Sequence, residues 1–468
     1  MHYQNRKIMQ SGILLAAGIL TACGDNPSKR EAVVINGDPF PSTYQPITSN
    51  ATLIKNVTIL DGIGGRIEKG ALLMQGGKIV SLGQNLPATG DTTVVDGQGK
   101  WVTPGIIDVH SHLGVYPAPS TSSHSDGNEK TAPVTAQVWA EHSIWPQDPG
   151  FGRALAGGVT AMQILPGSAN LVGGRGVTVK NLPDRVVQDM KFPGAPYGLK
   201  MACGENPKRV YGDKGGPGTR MGNVAGYRQA WADAQEYQRK WDLYYKDFDA
   251  GKAPQQPKRD LKLDTLAKVL KGEILVHMHC YRADDMGTML DVMQEFGYKI
   301  SVFHHAVESY KIADKLAAAN VCSAMWADWW GFKMEAYDGI QENIPMVHAA
   351  KACAIVHSDS ELGIQRLNQE AAKAWANGRR AGLDISQADA WQWLSANPAK
   401  SLGIFAQTGS LESGKNADVV LWSTDPFSTY AQAEHVYIDG ALVYDRNNPE
   451  SWPVSDFELG QPGEGDSK

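Results

Sequence analysis

Pro104-Gly-Ile-Ile-Asp-Val-His-Ser-His112 is the stretch on which the reading of this chain turns. Before it, short alternating strands are separated by glycine-rich turns. After it, apolar strands alternate with helical segments. Ile106, Ile107 and Val109 predict a strand buried on both faces. His110 and His112 stand two apart, so on a strand they share one face. Two imidazoles at the end of a buried strand make half a metal site. Burying them without a partner would be costly. A lone His-x-His pair is a weak signal, and its weight comes from what lies beyond it.

Downstream, apolar strands are predicted at Ile106 to His110, Val159 to Leu165, Gly198 to Cys203, Ile274 to His279, Ile300 to His305, Val321 to Met325 and Ala354 to Ser358. Helical apolar spacing lies between several of them, at Leu261 to Lys271, Tyr310 to Ala319 and Leu362 to Ala381. Strands alternating with helices over about 300 residues imply a parallel α/β core, and seven or eight such units suggest a closed barrel. Residues 113–150 and 204–260 are expected as long loops, where barrel enzymes build specificity. The four cysteines in this region, Cys203, Cys280, Cys322 and Cys353, sit in apolar stretches without zinc-finger spacing. They are expected as buried free thiols, although an oxidising envelope would allow pairing.

Upstream, Thr52 to Leu60, Ala71 to Met74, Lys78 to Leu82, Val94 to Asp96 and Trp101 to Thr103 read as short strands. Asp418 to Trp422, His435 to Ile438 and Ala441 to Tyr444 repeat that style near the other end, with a turn at Asp439-Gly440. The two ends are expected to fold together as one discontinuous β-sandwich, residues 49–103 and 405–448, interrupted by a barrel at 104–404. Residues 449–468 read as a loose tail.

Arg6 and Lys7 precede an apolar run from Gly12 to Leu20, and Leu20-Thr21-Ala22-Cys23 follows. A basic segment, a short apolar segment and small residues before a cleavage point read as a secretory signal over 1–22. The run is too short to span a membrane. The four residues look like a bacterial lipobox, with Cys23 as the lipidated residue and 23–48 as a polar tether. Gly24 after Cys23 resembles the pattern for outer-membrane delivery facing the periplasm. Membrane contact is expected through that anchor only. The net charge of −6 gives no reason to expect nucleic acid, and a homo-oligomer is the expected assembly.

Other strand ends carry the remaining candidates. His277 and His279 close one strand, His304 and His305 the next, and Asp359 follows His357-Ser358. Singly, each could be an ordinary hydrogen-bonded polar residue. Barrel strand ends converge at one mouth, so the set points to one site.

These motifs resemble the amidohydrolase superfamily, in its imidazolonepropionase-like branch. The likeness runs from about residue 50 to 445 and includes Thr103 to His112, Asn397-Pro-Ala-Lys400, Gly409 to Asp418 and Asp439-Gly440. It implies a (β/α)8 barrel with a discontinuous β-sandwich. It implies His110, His112, His279 and His305 as metal ligands, with Asp359 as a ligand or neighbour that accepts a proton from water. His277 is then structural and His304 lies outside the ligand set. Two-metal members need a bridging carboxylate, and the resemblance offers two: Lys200, placed like a carboxylated lysine, and Glu205, placed like a bridging glutamate. The strand-end position favours Glu205. The implied cofactor is one or two divalent ions, zinc first, with iron, manganese or cobalt as alternatives.

Water is a poor nucleophile until a metal lowers its pKa. Asp359 would take the proton and pass it to the leaving nitrogen, and a metal or a protonated His279 or His305 would stabilise the oxyanion. Arg175, in the glycine-rich run from Leu165 to Gly176, could hold a substrate carboxylate. Arg209, Tyr211, Arg220, Trp326 and Asp328 are the other candidate substrate contacts; packing or acidic pairing would explain each equally well. Glu308 and Arg282 are expected around the ligands. The expected activity is hydrolysis of an amide, lactam or short-peptide C–N bond. The rivals are a dipeptidase or carboxypeptidase acting on linear peptides, and an inactive metal- or ligand-binding lipoprotein.

Overall fold

The computed structural model describes residues 37–88 and 90–452. The signal segment, Cys23 and the last sixteen positions, 453–468, lie outside the described residues.

Among the described residues, two eight-stranded sheets organise the chain. Five strands come first: β1 (Thr52–Leu60), β2 (Arg66–Gln75), β3 (Lys78–Gly83), β4 (Thr93–Asp96) and β5 (Trp101–Pro104). Eight follow: β6 (Ile106–Ser111), β7 (Val159–Ile164), β8 (Val172–Lys180), β9 (Tyr197–Ala202), β10 (Ile274–Cys280), β11 (Ile300–His305), β12 (Cys322–Met325) and β13 (Cys353–Val356). The last three are β14 (Val419–Trp422), β15 (Ala433–Ile438) and β16 (Ala441–Asp445).

The terminal strands share one sheet in the order β16-β15-β14-β5-β1-β2-β3, with β4 also on β1. β5 joins the two ends, pairing parallel with β1 and antiparallel with β14. Ile54, Ile59, Leu72, Val102, Val419 and Leu421 pack as its core. The β15–β16 hairpin turns at Asp439-Gly440, both at positive φ (47° and 73°), the geometry of a tight two-residue hairpin.

The chain passes from one sheet to the other at Gly105. A Cβ there would lie 2.1 Å from Thr160 Oγ1, so only glycine lets β5 run straight into β6. The second sheet runs in the order β13-β12-β11-β10-β9-β8-β7-β6 and curls nearly closed. Its ends meet where the Asp359 amide donates to the His110 carbonyl (3.1 Å) and the Ser358 amide to Asp108 Oδ1 (3.2 Å).

Three expectations need correction. Val172–Lys180 is a strand rather than part of a glycine-rich loop, and it pairs antiparallel with both β7 and β9. Gly173, Gly174 and Gly176 hid its β character, since glycine weakens the strand signal. Residues 204–260 hold a thirty-residue helix, Arg220–Asp249. Tyr227, Ala230, Trp231, Ala234, Tyr237, Trp241 and Tyr244 form its buried stripe at steps of three and four. Finally, the cysteines are not free thiols. Cys203 bonds Cys280 and Cys322 bonds Cys353. Cys322 and Cys353 stand opposite each other on the parallel strands β12 and β13, and Cys203 follows the end of β9 beside Cys280 on β10, so neighbouring strands bring together residues 31 and 77 positions apart.

Candidate metal centre

Strand β6 delivers His110 fully buried and His112 half-buried on one face. Their Nε2 atoms approach to 3.2 Å. Asp359 Oδ1 lies 3.3 Å from His110 Nε2 and 3.2 Å from His112 Nε2. The Nδ1 of His112 faces the Leu165 carbonyl at 2.8 Å, and a neutral ring with its proton there would offer the Nε2 lone pair to a cation. Three electron-pair donors thus converge on one point, and a cation is the natural occupant of such a set. A second trio, His110, His305 and His357, also brings its ring nitrogens within 4.8 Å of one another. His279 Nδ1 and His357 Nδ1 are buried without hydrogen-bond partners. The donor chemistry and these orphaned nitrogens fit one or two divalent ions.

Backbone strain holds two of these groups. His305 ends β11 at φ 69° and Asp359 follows β13 at φ 48°, the left-handed region that side chains rarely adopt. Adjacent strand residues normally face opposite ways. The turn of backbone at His305 lets both His304 and His305 reach His110, with ring centroids 4.7 and 4.8 Å away. Tyr281 and Trp326 both pack against the His305 ring, with centroids 5.3 and 4.4 Å away, and lie 6.2 Å from each other.

Burial pushes His110, His279, His304 and His305 well below the usual histidine range, with Lys200 or neighbouring histidines adding to the effect. Burial likewise takes His277 down to about 3 and His357 to about 4. The rings are therefore neutral at neutral pH. This corrects the expectation that a protonated His279 or His305 would stabilise an oxyanion. Burial pushes the Asp359 carboxyl up, but a hydrogen bond and charge from His112, with further charge from His357 and Lys200, leave it below its ordinary value. Asp359 is thus ionised at neutral pH. Asp108, fully buried on β6, is raised to about 7 by burial against the hydrogen bonds from Ser358 and His110. It ties β6 to the chain segment that carries Asp359.

Of the two candidate bridging groups, only Lys200 reaches the histidines. Its Nζ lies 3.4 Å from His110 Nε2 and donates to the Pro166 carbonyl at 3.1 Å. Burial lowers it to about 8. Glu205 starts a short helix instead and its carboxylate pairs with Lys333 at 3.2 Å. Gly204, at φ 76°, precedes this helix, whose Asn206 Nδ2 lies 3.3 Å from His279 Nε2, while Glu205 itself faces Lys333.

The predicted substrate contacts divide. Trp326 is at the site, stacked on His305 and donating from Nε1 to the Ser358 carbonyl at 3.0 Å. Arg175 is buried on β8, donates to Thr265 Oγ1 at 2.9 Å and lies over the Trp139 ring at 4.0 Å. It is committed to packing. Arg220 is held by Asp285 and Glu335, and Asp328 by Lys373. The Tyr211 hydroxyl accepts from Asn170, and Arg209 is exposed on its helix. Arg282 pairs with Asp284, and Glu308 caps the Ala283 amide.

Three contributors escaped the sequence reading. His357 stands two before Asp359, the same spacing as His110 and His112, and that period was the available signal. Asn206 Nδ2 lies 3.3 Å from His279 Nε2, and Lys333 reaches Asn206 Oδ1 at 3.4 Å. Nothing in the local sequence of the loop after β12 marks Lys333.

Comparison with known proteins places this geometry in context. Residues 257–447 match the Amidohydrolase family. The crystal structure of an amidohydrolase from Thermotoga maritima aligns with a TM-score of 0.77 and 37% identity, over 84% of this chain and 100% of that one. The amidohydrolase tasK of Hapsidospora irregularis is 31% identical over 437 residues, 89% of this chain and 43% of its own length. The chain therefore spans less than half of that relative. The imidazolonepropionase of Stenotrophomonas maltophilia is 46% identical over 70 residues, 13% of this chain and 16% of that protein.

Proposed function

The chain belongs to the amidohydrolase family, and from that premise we propose that it is a metal-dependent hydrolase of amide, lactam or dipeptide-like C–N bonds. The observation that carries the reading is the convergence of His110 Nε2, His112 Nε2 and Asp359 Oδ1 within 3.3 Å of one another. Within the family, the short likeness to imidazolonepropionase and the strand-end histidines support the imidazolonepropionase-like branch. The proposed architecture is a (β/α)8-type barrel beside the terminal β-domain.

His110, His112 and Asp359 would hold one ion, with His279, His305 and His357 at its side. A bound divalent metal, zinc in our reading, lowers the pKa of water to about 7 and polarises the substrate carbonyl. Lys200 would serve a second ion: its neutral amine would add to CO2 and release a proton to solvent, and the resulting carbamate would offer a carboxylate beside the first site. Asp359, ionised and within reach of both histidines, accepts the proton of the attacking water and delivers it to the leaving nitrogen. Tyr281 and Trp326 pack together against the His305 ring and shield it from water.

Metal content after zinc reconstitution, followed by turnover on N-acyl amides, lactams and linear dipeptides, tests the reading. Asp359→Asn should lower kcat by about 10²–10⁴-fold while keeping the protein folded. Failure of the wild type to bind zinc, or an unchanged kcat in that variant, rules the mechanism out. Turnover confined to linear peptides favours the peptidase alternative. Zinc binding with no turnover on any class favours the binding-protein alternative. We further propose a lipid anchor at Cys23 in the cell envelope; Cys23→Ser should then move the protein from the membrane to the soluble fraction.

A further inference from the structure

Inside the barrel, behind the metal-facing side of His110, two more histidines line up. His110 Nδ1 lies 2.9 Å from His304 Nδ1, and His304 Nε2 lies 3.0 Å from His277 Nδ1. All three rings are completely buried. We propose that His304 and His277 are positioning residues forming a one-way hydrogen-bond chain that locks His110 in the tautomer with its Nε2 lone pair facing the metal. The inference rests on the metal-site reading given above.

A neutral imidazole has one N–H donor and one lone pair. Two nitrogen-to-nitrogen contacts between three neutral rings therefore leave two arrangements. In the inward one, His277 donates to His304, His304 donates to His110, and the last proton sits on His110 Nε2. That proton would point at His112 Nε2 and Lys200 Nζ and block coordination. In the outward one, His110 Nδ1–H donates to His304 Nδ1 and His304 Nε2–H donates to His277 Nδ1. The last donor is then His277 Nε2–H.

The outward arrangement is the one that a metal at His110 Nε2 requires. His277 Nε2 and Gln163 Oε1 are both buried and both lack a hydrogen-bond partner. They belong to side chains that press on the same glycine. A Cβ on Gly198 would lie 2.6 Å from Gln163 Nε2 and 2.9 Å from His277 Cδ2. Gly198 thus leaves room for both side chains. A half-turn of the Gln163 amide exchanges its oxygen and nitrogen without moving other atoms, so that end of the chain can be offered an acceptor.

The neighbouring ligand shows why such a chain is needed. His112 obtains its tautomer from a backbone carbonyl, that of Leu165. His110 sits deeper, and its Nδ1 meets His304 instead. Groups that orient a ligating imidazole in this way typically change metal affinity by about 10–100-fold when removed.

The test is the zinc dissociation constant of the full chain, measured by competition with a chromophoric chelator at pH 7.5, with thermal denaturation as the check on folding. His304→Phe keeps the ring and removes both nitrogens; zinc should bind about 10–100-fold more weakly. His277→Phe should weaken binding by a smaller factor, and the double variant should bind like His304→Phe alone, because the chain is already cut. His304→Gln retains an acceptor and a donor and should recover most of the affinity. Should His304→Phe not fold, His277→Phe and His304→Gln carry the same comparison. Wild-type zinc affinity in His304→Phe overturns the chain and leaves the metal site standing. Fully additive losses in the double variant overturn it too. A wild type that binds no zinc removes both the metal reading and this inference.

Discussion

Lys180 and Lys200 lie on neighbouring strands of the barrel, both at most 1% exposed, and their surroundings are opposite in kind. Lys180 is held by Asp439 at 2.7 Å and Asp418 at 3.3 Å. Those carboxylates are satisfied in turn by Tyr44, by Thr408 and by the Asp439 amide. One ammonium is shared by two carboxylates that also accept neutral hydrogen bonds, and the cluster fastens β8 to the terminal sheet. Lys200 faces a carbonyl and a histidine, and among the described residues it forms no ion pair with a carboxylate. A buried charge with matched partners is a structural joint. One without them is held in a state that favours the uncharged amine, which is what chemistry at nitrogen requires.

The largest effect expected from this contrast is at the joint. Lys180→Met leaves Asp418 and Asp439 buried without their cation, and breaking a buried pair from one side costs about 3–5 kcal/mol. Denaturant unfolding should show that loss. Zinc bound per folded molecule should not change. A variant that unfolds normally but loses zinc would erase the distinction between the two lysines.

Lys200→Met should act in the other direction. The folded-state value is about 8 against an ordinary 10.5, so the folded protein holds this proton less tightly than the unfolded chain. The contribution to stability is fully present above pH 10.5 and is lost as pH falls through about 8. At pH 7 the metal-free wild type therefore carries a penalty of up to about 3 kcal/mol that the variant lacks. Metal-free Lys200→Met should be as stable as the wild type or more so at pH 7, and the gain should vanish near pH 10.5. With zinc present, the variant should bind fewer ions than the wild type. Destabilisation at pH 7 on the scale of Lys180→Met would show Lys200 to be a joint as well.

The same contrast marks what the sequence makes legible. The His110/His112 pair and the strand-end positions of His279, His305 and Asp359 follow from a period of two and from where apolar runs stop, and these side chains do meet. The resemblance sets His304 outside the ligand set, and what it leaves unseen is the contact of His304 with the Nδ1 of His110. Antiparallel β8 was masked by its glycines. The disulfides and the Lys180 cluster join residues separated by 31 to 259 positions, and local spacing carries no trace of such contacts. The decision between Lys200 and Glu205 was of the same kind. Both stand within one short segment, and the residue that claims Glu205 arrives from the loop after β12.

That residue sets the smallest and most discriminating effect. Glu205 is about one-third exposed and pairs with Lys333 at 3.2 Å, outside the histidine cluster. A partly exposed pair of this kind contributes about 0.2–1 kcal/mol, so Glu205→Gln should lower stability by no more than that. Its amide oxygen still accepts from Lys333, which holds the local geometry. Zinc stoichiometry should equal that of the wild type, whereas Lys200→Met lowers it. The reverse pattern, with ions lost in Glu205→Gln and kept in Lys200→Met, would mean that the Lys333 pair opens when metal binds and that Glu205 swings in to bridge. The contrast between the two lysines would then survive only in the metal-free protein, and the buried amine would need another explanation.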